Sequence, residues 1–206
     1  MKSKTYFLLC CVLVLLYAGL TLIPQAYRTK HHAAGKAANS VPLILQEADG
    51  DRLIHRAGPL SGVPFIIKVD GEFGNSEDFF AFTEVLAPGQ IIPFHKHENA
   101  EEILIFEEAG AVVTVGNKRG VAGPRSLVFI PRHTWISATN TSAKEIGLVA
   151  IFSRHGFEEY MRAISVKPGE PLTPLSPEEL QRLRAQGHAV YWDTSKGAYP
   201  PGVAQH

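Results

Sequence analysis

From residue 41 onward the chain alternates short runs of β-branched and aromatic residues with clusters of Gly, Pro, Asn and Asp. Such runs fall at 41–45, 64–69, 78–86, 91–97, 102–107, 111–115, 126–130, 135–140 and 146–152. Short segments that favour a pleated backbone, bounded by turn-forming residues, predict strands. Many closely spaced strands predict a sandwich or small barrel, because each can bury one face only against other strands. The period then changes. GFEEYMRAIS from Gly156, and the stretch from Ser176 to about Gly187, predict two helices. The second opens on Ser176-Pro177-Glu178-Glu179, which supplies an N-cap, a proline at the first helical position and a capping-box carboxylate. The expected architecture is all-β: one barrel over 41–155 and a helical C-terminal extension over 156–206.

The N-terminus follows another pattern. Residues 6–23 carry no charge over 18 positions, with Lys2 and Lys4 before them and Arg28 and Lys30 after. A cleavable signal has an apolar region of roughly 7–15 residues, a spanning helix about 17–25. Length therefore favours an uncleaved single-pass anchor over residues 1–23, with the barrel on the non-cytoplasmic side. A signal removed within residues 31–40, leaving a secreted or periplasmic protein, is the alternative. Residues 24–40 are small, polar and basic, as in a linker.

Charge changes the picture in the body. The formal net charge is zero, yet residues 1–46 hold five basic side chains and no acid, so 15 basic residues face 20 acidic ones beyond. A nucleic-acid partner needs a basic face, and the body has no such excess. Both cysteines, Cys10 and Cys11, sit in the apolar run. The body thus has no thiolate zinc site, disulfide or cysteine nucleophile, and any metal there must rely on histidine and carboxylate.

One stretch offers that set. In Phe94-His95-Lys96-His97 the histidines are two apart, so a strand directs both to one face and Lys96 to the other. After a turn at 98–100, Glu101 or Glu102 can return on a neighbouring strand. Two imidazoles and a carboxylate suit divalent iron, manganese, nickel, copper or zinc.

Residues 88–106, PGQIIPFHKHENAEEILIF, followed by Gly110, resemble the first cupin motif, with one extra residue before that glycine. RSLVFIPRHTWISATN resembles the second, with Pro131, Trp135 and Asn140 in place. The similarity spans about 42–165 and is to bacterial single-domain cupins of the quercetin-dioxygenase-like kind. It implies a jelly-roll barrel in which His95, His97 and Glu102 hold a divalent metal. Glu102 is preferred over Glu101 because it leaves Leu104 and Phe106 on the same inward face. The family's fourth ligand, a histidine, is replaced by Ile136, and its glycine two residues after the proline by His133. The resemblance implies a dioxygenase-type enzyme on a small aromatic or enolic molecule, with Glu101 as proton acceptor. The alternative is a small-molecule-binding module without turnover, which Ile136 favours. A homodimer through a sheet face is a further expectation. Tyr160 reads as helix packing, Trp135 as core or pocket rim, and His55 and His188 as structural or exposed.

Overall fold

The computed structural model describes residues 40–154 and 156–205. The membrane segment expected at 1–23 and the linker, except Ser40, lie outside the described residues. Among those described, no helix is long and apolar enough to cross a membrane.

The strands are β1 (Asp51–His55), β2 (Pro64–Val69), β3 (Phe80–Leu86), β4 (Ile91–His97), β5 (Glu102–Phe106), β6 (Ala111–Val115), β7 (Lys118–Ala122), β8 (Ser126–Ile130), β9 (Ile136–Asn140), β10 (Ile146–Phe152), β11 (Ser165–Val166) and β12 (Ala189–Tyr191). One sheet has the order β11-β1-β2-β3-β10-β5-β8 and the other β12-β4-β9-β6-β7. Neighbours pair antiparallel in both, giving a jelly-roll-like β fold. Strict alternation marks the central strands. β10 buries Ile146, Leu148, Ala150 and Phe152, and β5 buries Glu102, Leu104 and Phe106. The rings of Phe80 and Phe152 stack with centroids 5.3 Å apart in this core. Each such side chain contributes about 1.5–3 kcal/mol by leaving water.

Asn140 holds the turn after β9. Fully buried, it donates through its amide to the carbonyls of Leu86 at 2.8 Å and Lys144 at 2.7 Å, and accepts from the Ser142 N–H at 2.9 Å. This residue of the second motif closes a loop and stays clear of the chemistry.

Three local expectations differ from the structure. Residues 41–45 form no strand: Val41, Leu43 and Ile44 are exposed, so the run has apolar composition but no surface to cover. β7 was not legible, because a solvated edge strand has no apolar alternation to reveal it. Its first four residues are exposed, and Lys118 and Arg119 guard the open edge. A two-residue loop, Gly116-Asn117, joins it to β6, with Gly116 at φ +50, as a type II′ turn requires of its first residue. Third, the extension is not wholly helical. Helices α1 (Phe157–Ala163) and α2 (Pro177–Gln186) lie where expected, and the Ser176 hydroxyl accepts from the Glu179 N–H at 3.1 Å. Yet β11 pairs with β1 and β12 with β4, so this region adds an edge strand to each sheet. Gly187, between α2 and β12, lies so close to α1 that a Cβ there would stand 2.4 Å from that of Tyr160.

An ionic cluster anchors α1. Arg162 donates to Asp70 at 2.6 Å and pairs with Asp51, which Lys167 also contacts. Asp70 is fully buried. Burial opposes the charge of Asp51, but hydrogen bonds from Lys167 and Arg162 outweigh it and hold the carboxyl below its ordinary range.

Candidate metal centre

The centre is built by an irregularity in β4. On β9, Ala138 faces Ile92 and Ile136 faces His95, so β4 spends three steps where β9 spends two. The extra residue is a bulge at Pro93-Phe94, where proline has no N–H to give the ladder. Its effect is positional. Ile92 and His95 are an odd number apart, which a regular strand would place on opposite faces, yet both line the same cavity. Past the bulge the alternation resumes, and His97 follows His95 inward.

His95, His97 and Glu102 each offer a ligand atom, all within 4.8 Å of one another. The three residues are 6%, 2% and 4% exposed. The imidazoles meet edge to face with centroids 5.0 Å apart, and His97 Nε2 lies 3.5 Å from Glu102 Oε2. Phe152 and Phe157 press on the His97 ring at 5.0 and 4.5 Å. His95 Nδ1 lies 2.9 Å from the carbonyl of Pro93. A carbonyl only accepts, so in the neutral ring Nδ1 carries the hydrogen and Nε2 keeps its lone pair. Burial first, and His97 second, lower the His95 pKa to about 4 against the opposing pull of Glu102 and Pro93. The ring is thereby neutral at pH 7, the form that coordinates. Neither His97 nitrogen nor Glu102 Oε2 has a hydrogen-bond partner, although all three atoms are buried. Buried polar atoms without partners cost about 1–3 kcal/mol each. A divalent cation held by one nitrogen of each imidazole and by the carboxylate would give Glu102 Oε2 and one His97 nitrogen the partner they lack.

Ile136 is fully buried beside His95 in the ladder, so the fourth-ligand position borders the centre with a hydrocarbon side chain. On the other edge Tyr191 of β12 stacks on His95, centroids 5.4 Å apart. Burial, then the neighbouring Tyr160, hold the Tyr191 phenol well above its ordinary pKa. His133 is an exposed turn residue at φ +61, a left-handed conformation that favours glycine, and its N–H donates to the His97 carbonyl at 2.8 Å. It contributes backbone to the centre and no ligand.

A cavity of about 70 Å³ opens beside His95 and Glu102. At roughly 10–15 Å³ for each water-sized group, it admits a molecule of a few heavy atoms. Phe82, Leu104, Leu148 and Phe152 supply its apolar wall. Glu101, expected as the proton acceptor, is not part of that wall. It precedes β5 by one residue and therefore lies on the opposite parity to Glu102, and its N–H donates to Ser153 Oγ at 3.0 Å. The second carboxylate in the wall is Glu84 of β3, with His55 of β1 beside it. Sequence reasoning missed this pair: the residues are 29 positions apart, and only the β1-β2-β3 order joins them. The unmatched Glu84 within the apolar run 78–86 was the available signal. Trp135 stands outside the cavity wall, 5.9 Å from Trp192 and beneath Lys96. Phe79 and Phe129 are exposed.

An antiparallel jelly roll with two strand histidines and a returning glutamate on its inner face defines a class of barrel with one interior centre. Residues 82–152 match the model of the cupin domain family. No curated protein matches the chain. Among solved structures it is similar to a predicted oxalate decarboxylase from Thermotoga maritima, at 19% identity over 55% of this chain and 100% of that one, TM-score 0.47. It is also similar to KdgF from Halomonas sp., at 16% identity over 56% of this chain and 96% of that one, TM-score 0.46. A third is a sugar phosphate isomerase of a cupin superfamily from Silicibacter pomeroyi, at 17% over 55% and 77%, TM-score 0.47. None carries a reaction over to this chain.

Proposed function

We propose that this protein is a divalent-metal cupin that acts on a small oxygen-bearing molecule in a dioxygenase-like reaction. The observation that carries the proposal is the convergence of one ligand atom each from His95, His97 and Glu102, all three residues buried and the Glu102 Oε2 and His97 nitrogens without hydrogen-bond partners. A bound divalent ion supplies Lewis acidity and open positions for oxygen ligands. The chain's own residues do the rest. The Pro93 carbonyl fixes the His95 tautomer, Phe152 and Phe157 hold the His97 ring, and the hydrophobic wall excludes water. Arg184, whose buried Nε is unpartnered, brings a cation to the wall and favours an anionic substrate.

Metal titration by calorimetry, on wild type and on His95→Ala and His97→Ala, tests the reading. Wild type is expected to bind one ion and each variant to bind it more weakly. Wild type that binds none overturns it. Ile136 favours a second reading, a pocket that captures its ligand without turnover, which predicts ligand binding with no product by mass spectrometry. The 18-residue uncharged run supports a membrane tether, and an intact mass beginning beyond residue 23 would instead mean export after cleavage. Exposed Val121, Leu127 and Phe129 support a homodimer, to be read by light scattering.

A further inference from the structure

His55 and Glu84 are 2% and 4% exposed and both line the cavity that holds the proposed centre. His55 Nε2 and Glu84 Oε1 face each other at 3.6 Å, beyond hydrogen-bond distance, and neither atom has another partner. The ring of His55 is fixed by stacking on Phe65, centroids 4.4 Å apart, so it does not close the gap freely. An oxygen about 2.8 Å from both atoms would sit roughly 2 Å to one side of the line joining them, on the side of the cavity that both residues line. A hydroxyl suits that position best, since it can donate to the carboxylate and accept from the imidazole N–H at once.

The location sets what else the ligand must carry. Glu84 is four residues from Phe80 on β3, and Phe80 lies in register with Phe152 and, through it, with Glu102. Phe82 and Leu104 occupy the inward positions between the two polar ends, and Leu148 stands level with Glu84. The cavity is therefore polar at both ends and apolar in the middle.

We infer that His55 and Glu84 form a second subsite that binds a hydroxyl of the ligand, and that the ligand is a short hydroxylated carboxylic acid with an aliphatic middle. The carboxylate end of this inference rests on the proposed metal centre; the hydroxyl end does not. The pair thereby sets specificity, because a ligand without the hydroxyl leaves two buried polar groups unmatched.

The test titrates straight-chain ω-hydroxy acids of two to four carbons, and the parent acids lacking the hydroxyl, into the full chain with manganese and without metal. Binding is followed by calorimetry and by the imidazole resonances of His55. At least one hydroxy acid is expected to bind about tenfold or more tightly than its parent, as charge-assisted hydrogen bonds allow. It should also shift the His55 resonances where the parent does not. The preference should vanish in the double variant His55→Leu/Glu84→Met, which removes both polar groups together and so leaves neither one buried alone. Glu84→Gln, which keeps the shape, should reduce it. Equal affinities throughout, no binding by any member, or a preference that survives the double variant overturns the subsite. A hydroxyl preference in protein that takes up no metal would sink the metal centre and spare the subsite. Metal uptake without any hydroxyl preference would do the reverse.

Discussion

The barrel buries ionisable groups in two regions, and the two are finished differently. Around Arg162, the buried Asp70 and the half-buried Asp51 are matched by a guanidinium and by Lys167, and the cluster ties α1 to β1 and to the loop after β2. In the cavity and at the centre beside it, Glu102, His55, Glu84 and the adjoining His97 are buried too, yet each has a buried atom without a hydrogen-bond partner. The first arrangement matches its carboxylates within the chain and leaves only Arg162 Nε without a hydrogen-bond partner. The second is complete only when something else is bound, which is how a binding site differs from a structural ion pair of the same composition.

The largest effect that would break this comparison is expected at the anchor. Arg162→Met leaves Asp70 buried and unpaired and should destabilise the fold by about 3–5 kcal/mol in urea unfolding, with metal affinity of the folded fraction unchanged. A loss below 1 kcal/mol would mean that the cluster is not structural.

Acid should separate the regions next. In metal-free protein, His95 has a pKa of about 4 against an ordinary 6.5. Between these values the unfolded chain holds the extra proton, so stability is full above about pH 6.5 and declines toward pH 4, by up to ~3 kcal/mol. Asp51, lowered from 3.8, contributes its loss only at still lower pH. Denaturant melts across pH 3–8 would show both steps, and His95→Gln should remove only the upper one.

A smaller effect is expected from Glu102→Gln. It should weaken manganese binding at least about tenfold, while the metal-free protein keeps its stability within about 1 kcal/mol, since the replaced oxygen had no partner to lose. Calorimetry and thermal melts check the two halves. The smallest effect concerns Ile136→His. It places an imidazole beside His95 and should raise metal affinity by a few fold to about tenfold, offset by the cost of a polar group at a fully buried position. No change in affinity would place this wall outside the coordination sphere.

Much of the barrel could be read in the sequence, because central strands must alternate. EILIF and IGLVAIF state which residues face inward, and FHKH states that two histidines do so together. Elements with solvated or very short faces carry no such mark, as β7, β11 and β12 show. The stretch 41–45 carries the mark and lacks the strand, since composition says nothing about whether a partner surface exists. The His95, His97 and Glu102 positions were legible as a local motif within eight residues. The His55–Glu84 pair was not, because its proximity is made by strand order and by no spacing along the chain. The bulge at Pro93 was legible only in part: the proline signals an interrupted ladder, but not that Ile92 would join His95 at the cavity.

The pairing of β12 with β4 has a consequence for how the protein is made. Strand β4 and its two histidines leave the ribosome more than ninety residues before Ala189–Tyr191, the strand that covers one edge of β4 and lays Tyr191 on His95. Until that late segment arrives, the edge of β4 remains unpaired and one side of the His95 ring bare. The nascent barrel therefore passes through a stage in which the histidines are already placed but open to the surroundings, and the last strand to be synthesised seals them in.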